Sequence, residues 1–369
     1  MRETPPGRLN PYQGLRVLVV RENWLGNTGL SAFTALLRAG TWATSISERE
    51  YVPIEWKSPA MKLLGRLLRP AAVGEFNRDL LRAMRELKPH VFLAVKGTFI
   101  EAGTLRAARQ MGITCYCFYP DVSLTAHGRY LPEAMREYDW VFTTKSFGLA
   151  DLKALGQPKS SFLPHAFDPM VHQPRQPTPE LMKELGCDVS FIGTWSPKKQ
   201  RLLEELVQLR PRLNLKIWGN YWHRLASNSP LRARTTFKPI TGIGYASAIS
   251  CSKINLGLLS EEVRGATSGD LITSRTFHIP ACGGLLLHER TRDLLKIFEE
   301  GESCVCFDGA DELAIKVDQL LGDEDLRSRV ALRGREVVVA SHSWDHRVRT
   351  ILDQYLKQRP AADRPGPVQ

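Results

Sequence analysis

Short apolar runs recur along the chain, and each gives way to a polar loop and then to a stretch with helical spacing. Residues 15–20 form the first run, followed by Gly26-Asn27-Thr28-Gly29 and a helical pattern from about Ser31. Residues 60–88 read as helix, and 90–95 as a strand that ends at Lys96-Gly97. A helix over 104–111, a strand over 114–118 ending at Pro120-Asp121, and a strand over 140–143 complete a first set. The stretch from Pro169 to Pro179 is rich in Pro and Gln, and after it the pattern restarts. Strands are predicted at 189–192, 215–218, 254–258, 285–288 and 304–307, with helices between them and two more over 311–321 and 325–339. Apolar strands alternating with helices predict parallel sheets covered on both faces. The fold class is therefore α/β, with two doubly wound, Rossmann-like domains.

The boundaries follow from the same pattern. Residues 1–14 and 357–369 are rich in Pro, Arg and polar side chains and read as disordered tails. The first domain spans 15–168, a linker 169–187, and the second domain 188–356 with a final helix. At 369 residues the chain suits two domains better than one. In doubly wound sheets, ligands sit beyond the carboxyl ends of the strands.

Composition narrows the chemistry. The net charge of +11 favours anionic ligands or anionic surfaces. No helix-turn-helix, zinc-finger or RNA-recognition pattern accompanies it, so nucleic acid is not the expected partner. No apolar run approaches the ~20 residues of a membrane helix, and the polar start Met1-Arg2-Glu3-Thr4 has no secretory signature. Seven cysteines form no Cys-x-x-Cys; Cys115/Cys117 and Cys304/Cys306 lie in apolar runs and read as buried free thiols of a cytoplasmic protein.

Residues 273–291 concentrate the candidate chemistry. Thr273, Ser274 and Arg275 open a short helix, Gly283-Gly284 follows, and a strand then leads to Glu289-Arg290-Thr291. A helix start with hydroxyls and a guanidinium is suited to phosphate. The run Arg275-Thr276-Phe277-His278-Ile279-Pro280-Ala281-Cys282-Gly283-Gly284, with Glu289-Arg290-Thr291 beyond it, resembles the sugar-nucleotide half of GT-B glycosyltransferases. It is most similar to the CgeB-like branch, the spore-coat-maturation type. Tyr138-Asp139-Trp140-Val141-Phe142-Thr143-Thr144-Lys145, Phe162-Leu163-Pro164-His165-Ala166-Phe167-Asp168-Pro169, Asp188-Val189-Ser190-Phe191-Ile192-Gly193-Thr194-Trp195 and Ser341-His342-Ser343-Trp344-Asp345-His346-Arg347 continue the resemblance in order.

The resemblance implies two domains facing each other across a cleft. It also implies transfer of a sugar from a nucleotide donor to a hydroxyl acceptor, with retention of anomeric configuration. No metal and no cofactor beyond the nucleotide-sugar co-substrate is implied; Arg, Lys and a helix N-terminus would neutralise the leaving diphosphate. The acceptor is a glycan, a lipid-linked sugar or a protein, and no obligate protein partner is evident. A sugar-nucleotide epimerase of the same fold and a non-catalytic sugar-nucleotide-binding protein are the alternatives.

Individual residues then take candidate roles. Gly193 and Thr194 contact the donor, or form an ordinary turn before the basic residues Lys198, Lys199 and Arg201. Thr273, Ser274 and Arg275 hold the diphosphate, with Lys199 and Arg290 beside them. Glu289 accepts from sugar hydroxyls, or pairs with Arg290 at the surface. Asp121 acts on or orients the acceptor hydroxyl, or caps a turn after Pro120. Asn27, Lys96 and His165 are acceptor-side candidates; a tight loop at Asn27 and a backbone-bonded histidine at His165 are the plainer readings. His278 departs from the pattern, since relatives carry a Glu that holds the ribose hydroxyls. An imidazole with a pKa near ~6.5 in contact with the nucleotide would make affinity vary between pH 5.5 and 7.5.

Three further features read as structural or peripheral. Asp323-Glu324-Asp325 is a solvated turn rather than a metal site. Ser343 reads as an N-cap and Trp344 as a packing anchor. Residues 61–69 interleave leucines with cations; the helix packs on its own domain or lies peripherally on the inner membrane face.

Overall fold

The computed structural model describes residues 10–52 and 59–358, the side chains of 59–63 excepted. These divide into two compact units. The first comprises the described residues within Met1–Leu163, Arg264–Thr267 and Trp344–Gln369; the second comprises Pro164–Val263 and Ser268–Ser343.

The first unit is built from β1 (Arg16–Val20), α1 (Thr28–Arg38), β2 (Trp42–Ile46), α2 (Pro59–Leu87), β3 (Val91–Val95), α3 (Ala102–Gln110), β4 (Thr114–Tyr119), α4 (Tyr130–Met135), β5 (Trp140–Thr143), α5 (Gly148–Ala154) and β6 (Ser160–Phe162). All six strands pair in parallel, in the order β2-β1-β3-β4-β5-β6. The continuous apolar runs become the central strands: every residue of β4 is buried. The sequence reading missed β2. Its Trp42-Ala43-Thr44-Ser45-Ile46 is largely exposed at the sheet edge, so it lacks the apolar run that marks a central strand.

The second unit contains α6 (Pro179–Leu185), β7 (Cys187–Ile192), α7 (Pro197–Leu209), β8 (Leu215–Trp218), α8 (Gly242–Ser250), β9 (Ser252–Gly257), α9 (Arg275–Ala281), β10 (Leu286–Glu289), β11 (Val305–Phe307), α10 (Gly309–Gly322) and α11 (Glu324–Ser341). Its parallel sheet runs β11-β10-β9-β7-β8. The chain builds outward from β7 to β8, then crosses back to β9 on the other side. The carboxyl ends of β7 and β9 therefore flank the topological switch point, where ligands enter such sheets. Asp323 caps α11 by accepting from Leu326 N at 2.8 Å, a turn role as the sequence suggested.

Two sequence expectations change. The last helix, α12 (Trp344–Gln358), belongs to the first unit rather than to the second domain. Trp344 packs its ring 5.0 Å from Phe118 of β4, Arg38 pairs with Asp345 at 2.8 Å, and Tyr12 Oη donates to Asp353 at 2.7 Å. Parts of the expected tails are also ordered. Tyr12 is buried and Asn10 Nδ2 donates to Ala39 O at 2.8 Å, while Gln358 Oε1 accepts from Tyr116 Oη. The remainder of both tails lies outside the described residues. All seven cysteines are buried free thiols.

α12 buries Trp344, Val348, Ile351, Leu352 and Tyr355. At about 1.5–3 kcal/mol per buried large side chain, their loss is comparable to the whole stability of a typical domain. A chain ending at Ser343 should lose cooperative melting of the first unit. A chain ending at Gln358 should melt as the full chain does. Circular-dichroism melts of the two truncations check this, and a native-like transition in the shorter one would contradict it.

Candidate functional site

The second unit's candidate site grows from the switch point. β7 ends at Gly193, whose N–H donates to Trp218 O at 2.9 Å and whose carbonyl accepts from Trp222 Nε1 at 2.9 Å. A β-carbon at Gly193 would lie 2.9 Å from Arg275 Nη1 and 2.7 Å from Phe191 Cζ. Glycine is needed here because the guanidinium lies directly against the main chain.

Arg275 is the first residue of α9. Its Nη2 donates to Leu258 O, just past β9, at 2.7 Å, and its guanidinium carbon sits 5.4 Å from the Phe191 ring centroid. Its Nε is buried and finds no partner among the described residues. Burial lowers its pKa from the usual value.

Lys199, on the first turn of α7, spans the switch point. Its Nζ donates to Thr194 O beyond β7 at 3.2 Å and to Ser260 Oγ beyond β9 at 2.9 Å. It is only 3% exposed. Burial, reinforced by the charge of Arg275, brings its pKa down to about 8; Asp270, Glu261 and Glu289 oppose the shift. Two desolvated cations thus share one end of the sheet. Thr194 itself is exposed.

Glu289 closes β10 beside them. Its Oε1 accepts from Leu259 N at 2.6 Å and its Oε2 pairs with Lys198 Nζ. The surface pair with Arg290 does not form. Arg290 instead engages Glu300 at 2.8 Å, Glu312 at 3.2 Å and Asp308, and these carboxylates raise its pKa. With its donors filled, Arg290 ties β10 to the start of α10 and does not join Lys199 and Arg275.

The hydroxyls also differ from expectation. Ser274 occupies the cap position of α9 but caps nothing through its side chain. Thr276 accepts from Thr273 N at 3.0 Å and meets His288 Nε2 at 3.0 Å. Thr273 Oγ1 is buried with no partner among the described residues. α9 spans seven residues, short for the helix-start anion site the sequence suggested.

His278 is the largest correction. Its Nε2 lies 3.1 Å from Ala166 O and so donates to that carbonyl. Its ring stacks on His172 at 3.8 Å and meets Tyr245 edge-on at 5.8 Å. Burial, with the neighbouring His172, holds its pKa well below 6.5. Burial thus disfavours the charged ring and works against the expected pH dependence between 5.5 and 7.5. His165 is also buried.

In the first unit, Lys96 and Asp121 follow the carboxyl ends of β3 and β4. Lys96 Nζ pairs with Asp121 Oδ2 at 2.7 Å, and His127 Nε2 reaches the same oxygen at 2.9 Å. His127 lies in the irregular stretch before α4 and is not among the expected site residues. Burial alone would raise the Asp121 pKa, but the His127 hydrogen bond and the Lys96 charge outweigh it and hold the carboxyl well below its usual range. A carboxylate so stabilised orients a hydroxyl but is a poor base. Lys96 has φ of 72°, a left-handed conformation costing a non-glycine residue on the order of 1–3 kcal/mol. Asn27 caps α1, accepting from Gly29 N at 2.7 Å, with Nδ2 donating to Glu22 at 3.2 Å. The tight-loop reading describes it. Among the described residues no group of three or more His, Cys, Asp or Glu converges as metal ligands.

Known proteins share the chain's fold. Residues 198–353 match the family described as "Glycosyl transferase-like". No curated protein matches the chain in sequence. Solved structures match nearly its whole length. Sucrose-phosphate synthase from Thermosynechococcus elongatus is 13% identical with a TM-score of 0.66, covering 93% of this chain and 99% of its own. A glycosyltransferase from Rickettsia africae is 14% identical with a TM-score of 0.63, covering 94% and 99%. Anabaena HepE in complex with UDP-glucose is 11% identical with a TM-score of 0.59, covering 93% and 99%. The chain has the GT-B glycosyltransferase fold. In this GT-B chain, the matched family segment begins at Lys198 and so takes in Lys199, Arg275, His278 and Glu289.

The buried histidines give the second unit a pH signature. His172 and His288 have pKa values lowered to about 4 by burial, against 6.5 for a free imidazole. Because the folded values lie below the unfolded one, unfolding takes up protons between pH 6.5 and 4 and stability falls on acidification. At pH 5 each costs on the order of 2 kcal/mol relative to pH 8. Urea unfolding at pH 7.5 and 5 should show this loss, and His288→Asn should reduce it. An unchanged midpoint would mean the rings are protonated in the folded state.

Proposed function

We propose that the protein is a nucleotide-sugar-dependent glycosyltransferase that moves a hexosyl unit to a hydroxyl acceptor. The observation that carries this reading is the pairing of Lys199 and Arg275 at the switch point of the second unit. Burial lowers the pKa of both cations and the charge of Arg275 lowers that of Lys199 further, a cost that an incoming diphosphate would relieve. Arg275 Nε and Thr273 Oγ1 offer buried donors for its oxygens.

The second unit would hold the donor, with Gly193 and Thr194 at the diphosphate and Ser274 beside Arg275. Glu289 would position Lys198 and, through the Leu259 amide, the turn after β9. As charge develops on the leaving diphosphate, Lys199 and Arg275 would stabilise it where water is excluded, so that no metal is needed. The first unit would hold the acceptor, with Asp121 accepting from its hydroxyl and Lys96 and His127 fixing that carboxylate. His278 would shape the donor site through the Ala166 carbonyl and the His172 ring rather than by titrating. Retention of configuration and membership of the CgeB-like branch follow from the sequence resemblance. An epimerase would convert donor without acceptor, and a binding protein would leave it intact; incubating a sugar nucleotide alone and with glycan acceptors separates the three.

Lys199 supplies the direct test. Diphosphate favours its charged form, so binding raises its pKa from about 8 and takes up protons near that pH. UDP-glucose affinity should be level below about pH 7 and fall by up to tenfold per unit well above pH 8. Calorimetry at pH 8 in buffers of different ionisation enthalpy should show the uptake, and Lys199→Met should abolish it. Arg275→Gln should weaken UDP-glucose by roughly 10- to 150-fold, the worth of a charged hydrogen bond. Binding by wild type that is pH-independent and unaffected by either change would remove both residues from the donor site.

Asp121→Asn tests the first unit. Orientation without proton abstraction predicts that kcat falls while UDP-glucose affinity holds. The pH-rate profile should keep its acidic limb, because the carboxylate is ionised throughout the accessible range. Loss of that limb in the variant would identify Asp121 as a titrating base instead.

A further inference from the structure

The second element of interest is α2, whose two halves have opposite environments. The helix has 29 residues, about 43 Å at 1.5 Å per residue. The five-residue strand β3 that follows it spans only about 17 Å. Asn77 fixes the vertical register: its Nδ2 donates to Phe99 O at 2.8 Å and its Oδ1 accepts from Glu101 N at 2.9 Å, both just past the carboxyl end of β3. Residues 78–87 descend along the sheet from there. The first half of α2 therefore overhangs the carboxyl end, the end at which Lys96 and Asp121 lie.

The overhang carries its apolar residues on the wrong side for the core. Val73, Phe76, Leu80 and Met84 are buried in the first unit. At about 100° per residue, Leu64, Leu67 and Leu68 lie half a turn away from that stripe. They are 48%, 71% and 52% exposed. No continuation of the packing that covers Val73 to Met84 can cover them. The packing reading of residues 61–69 thus fails for the described part of that stretch.

The charge on this segment selects the partner. From Trp56 to Gly74 the sequence holds Lys57, Lys62, Arg66 and Arg69 and no Asp or Glu. Arg66 and Arg69 are exposed and lie on the face opposite the leucines. A leucine stripe backed by cations, with no acid, suits a surface that is apolar below and anionic above. We propose that the overhanging half of α2 docks in the plane of an anionic lipid membrane. The leucines enter the acyl boundary, while Arg66 and Arg69 reach up along their stems to the phosphates. Docking there brings the Lys96–Asp121 end of the first unit towards the membrane surface.

This docking does not rest on the transferase reading, and its test needs no donor. The full chain is floated with phosphatidylcholine vesicles containing one part in three phosphatidylglycerol, and with pure phosphatidylcholine vesicles, at low and high salt. It should partition to the anionic vesicles, weakly to the neutral ones, and less at high salt. The double variants Leu67→Ser with Leu68→Ser, and Arg66→Glu with Arg69→Glu, should each lose roughly tenfold or more in partitioning. Their melting temperatures and UDP-glucose affinity should match wild type, since these side chains are exposed. Leu37→Ser, at an exposed leucine of α1, should partition as wild type does. Wild type that fails to float with anionic vesicles, or variants that float equally well, would overturn the proposal. So would sedimentation showing that the leucine variants abolish a self-association while leaving vesicle binding intact.

Discussion

The second unit is organised around the cost of keeping two cations out of water. Carbonyls beyond the ends of β7 and β9 hold Lys199 and Arg275 at the switch point, where burial and the charge of Arg275 make the lysine's charge harder to hold. Several features of the surrounding sequence answer to that cost. Gly193 lacks a side chain so that the guanidinium can approach. Leu258 and Thr194 turn carbonyl oxygens inward, and Phe191 offers a ring face. Asp270, Glu261 and Glu289 lie close enough to favour the protonated lysine. Under the proposed function, an incoming diphosphate would supply further counter-charge to these buried cations.

The first unit places a different balance at the same end of its own sheet. Asp121 is fully matched by Lys96 and His127, and its carboxyl is held ionised. Lys96 reaches that position through a left-handed backbone, a strain that a simple strand-to-loop connection does not require. Where the second unit leaves positive charge under-satisfied, the first unit fixes a negative one. Under the proposed function the two arrangements would serve opposite tasks, gripping an anion and orienting a neutral hydroxyl.

Much of the architecture was legible because parallel strands are buried on both faces and appear as unbroken apolar runs, as in 114–118 and 140–143. The edge strand β2 and the short β6 carry no such run and were not visible. The GT-B resemblance grouped Gly193 with Arg275, and the structure sets the guanidinium against that glycine. It could not show that Arg290 is saturated by Glu300, Glu312 and Asp308, since those partners depend on how β11 and α10 return. His278 failed as a titrating contact for a related reason. Whether an imidazole titrates near neutrality depends on burial and on His172, 106 positions earlier in the sequence, and no local pattern encodes that proximity. His127 was missed because a lone histidine in an irregular stretch looks the same whether or not a carboxylate lies within 3 Å. The placement of α12 was misread for the same cause: the resemblance and Trp344 implied a packed final helix, but not on what it packs.

α2 shows where sequence phase carries information that composition does not. A leucine-rich helix with interspersed arginines looks uniformly amphipathic when counted. Resolved by angle, it contains two stripes that face in opposite directions, joined near Pro70. One stripe is answered by the core of the first unit through Val73, Phe76, Leu80 and Met84. The other begins only where the helix has outrun the sheet, so it cannot be a misplaced part of the same core. A helix that merely crossed from β2 to β3 would need about half this length. The extra turns, the reversed apolar face and the absence of acids from Trp56 to Gly74 therefore require a common explanation outside the unit's own packing, and a lipid surface satisfies all three.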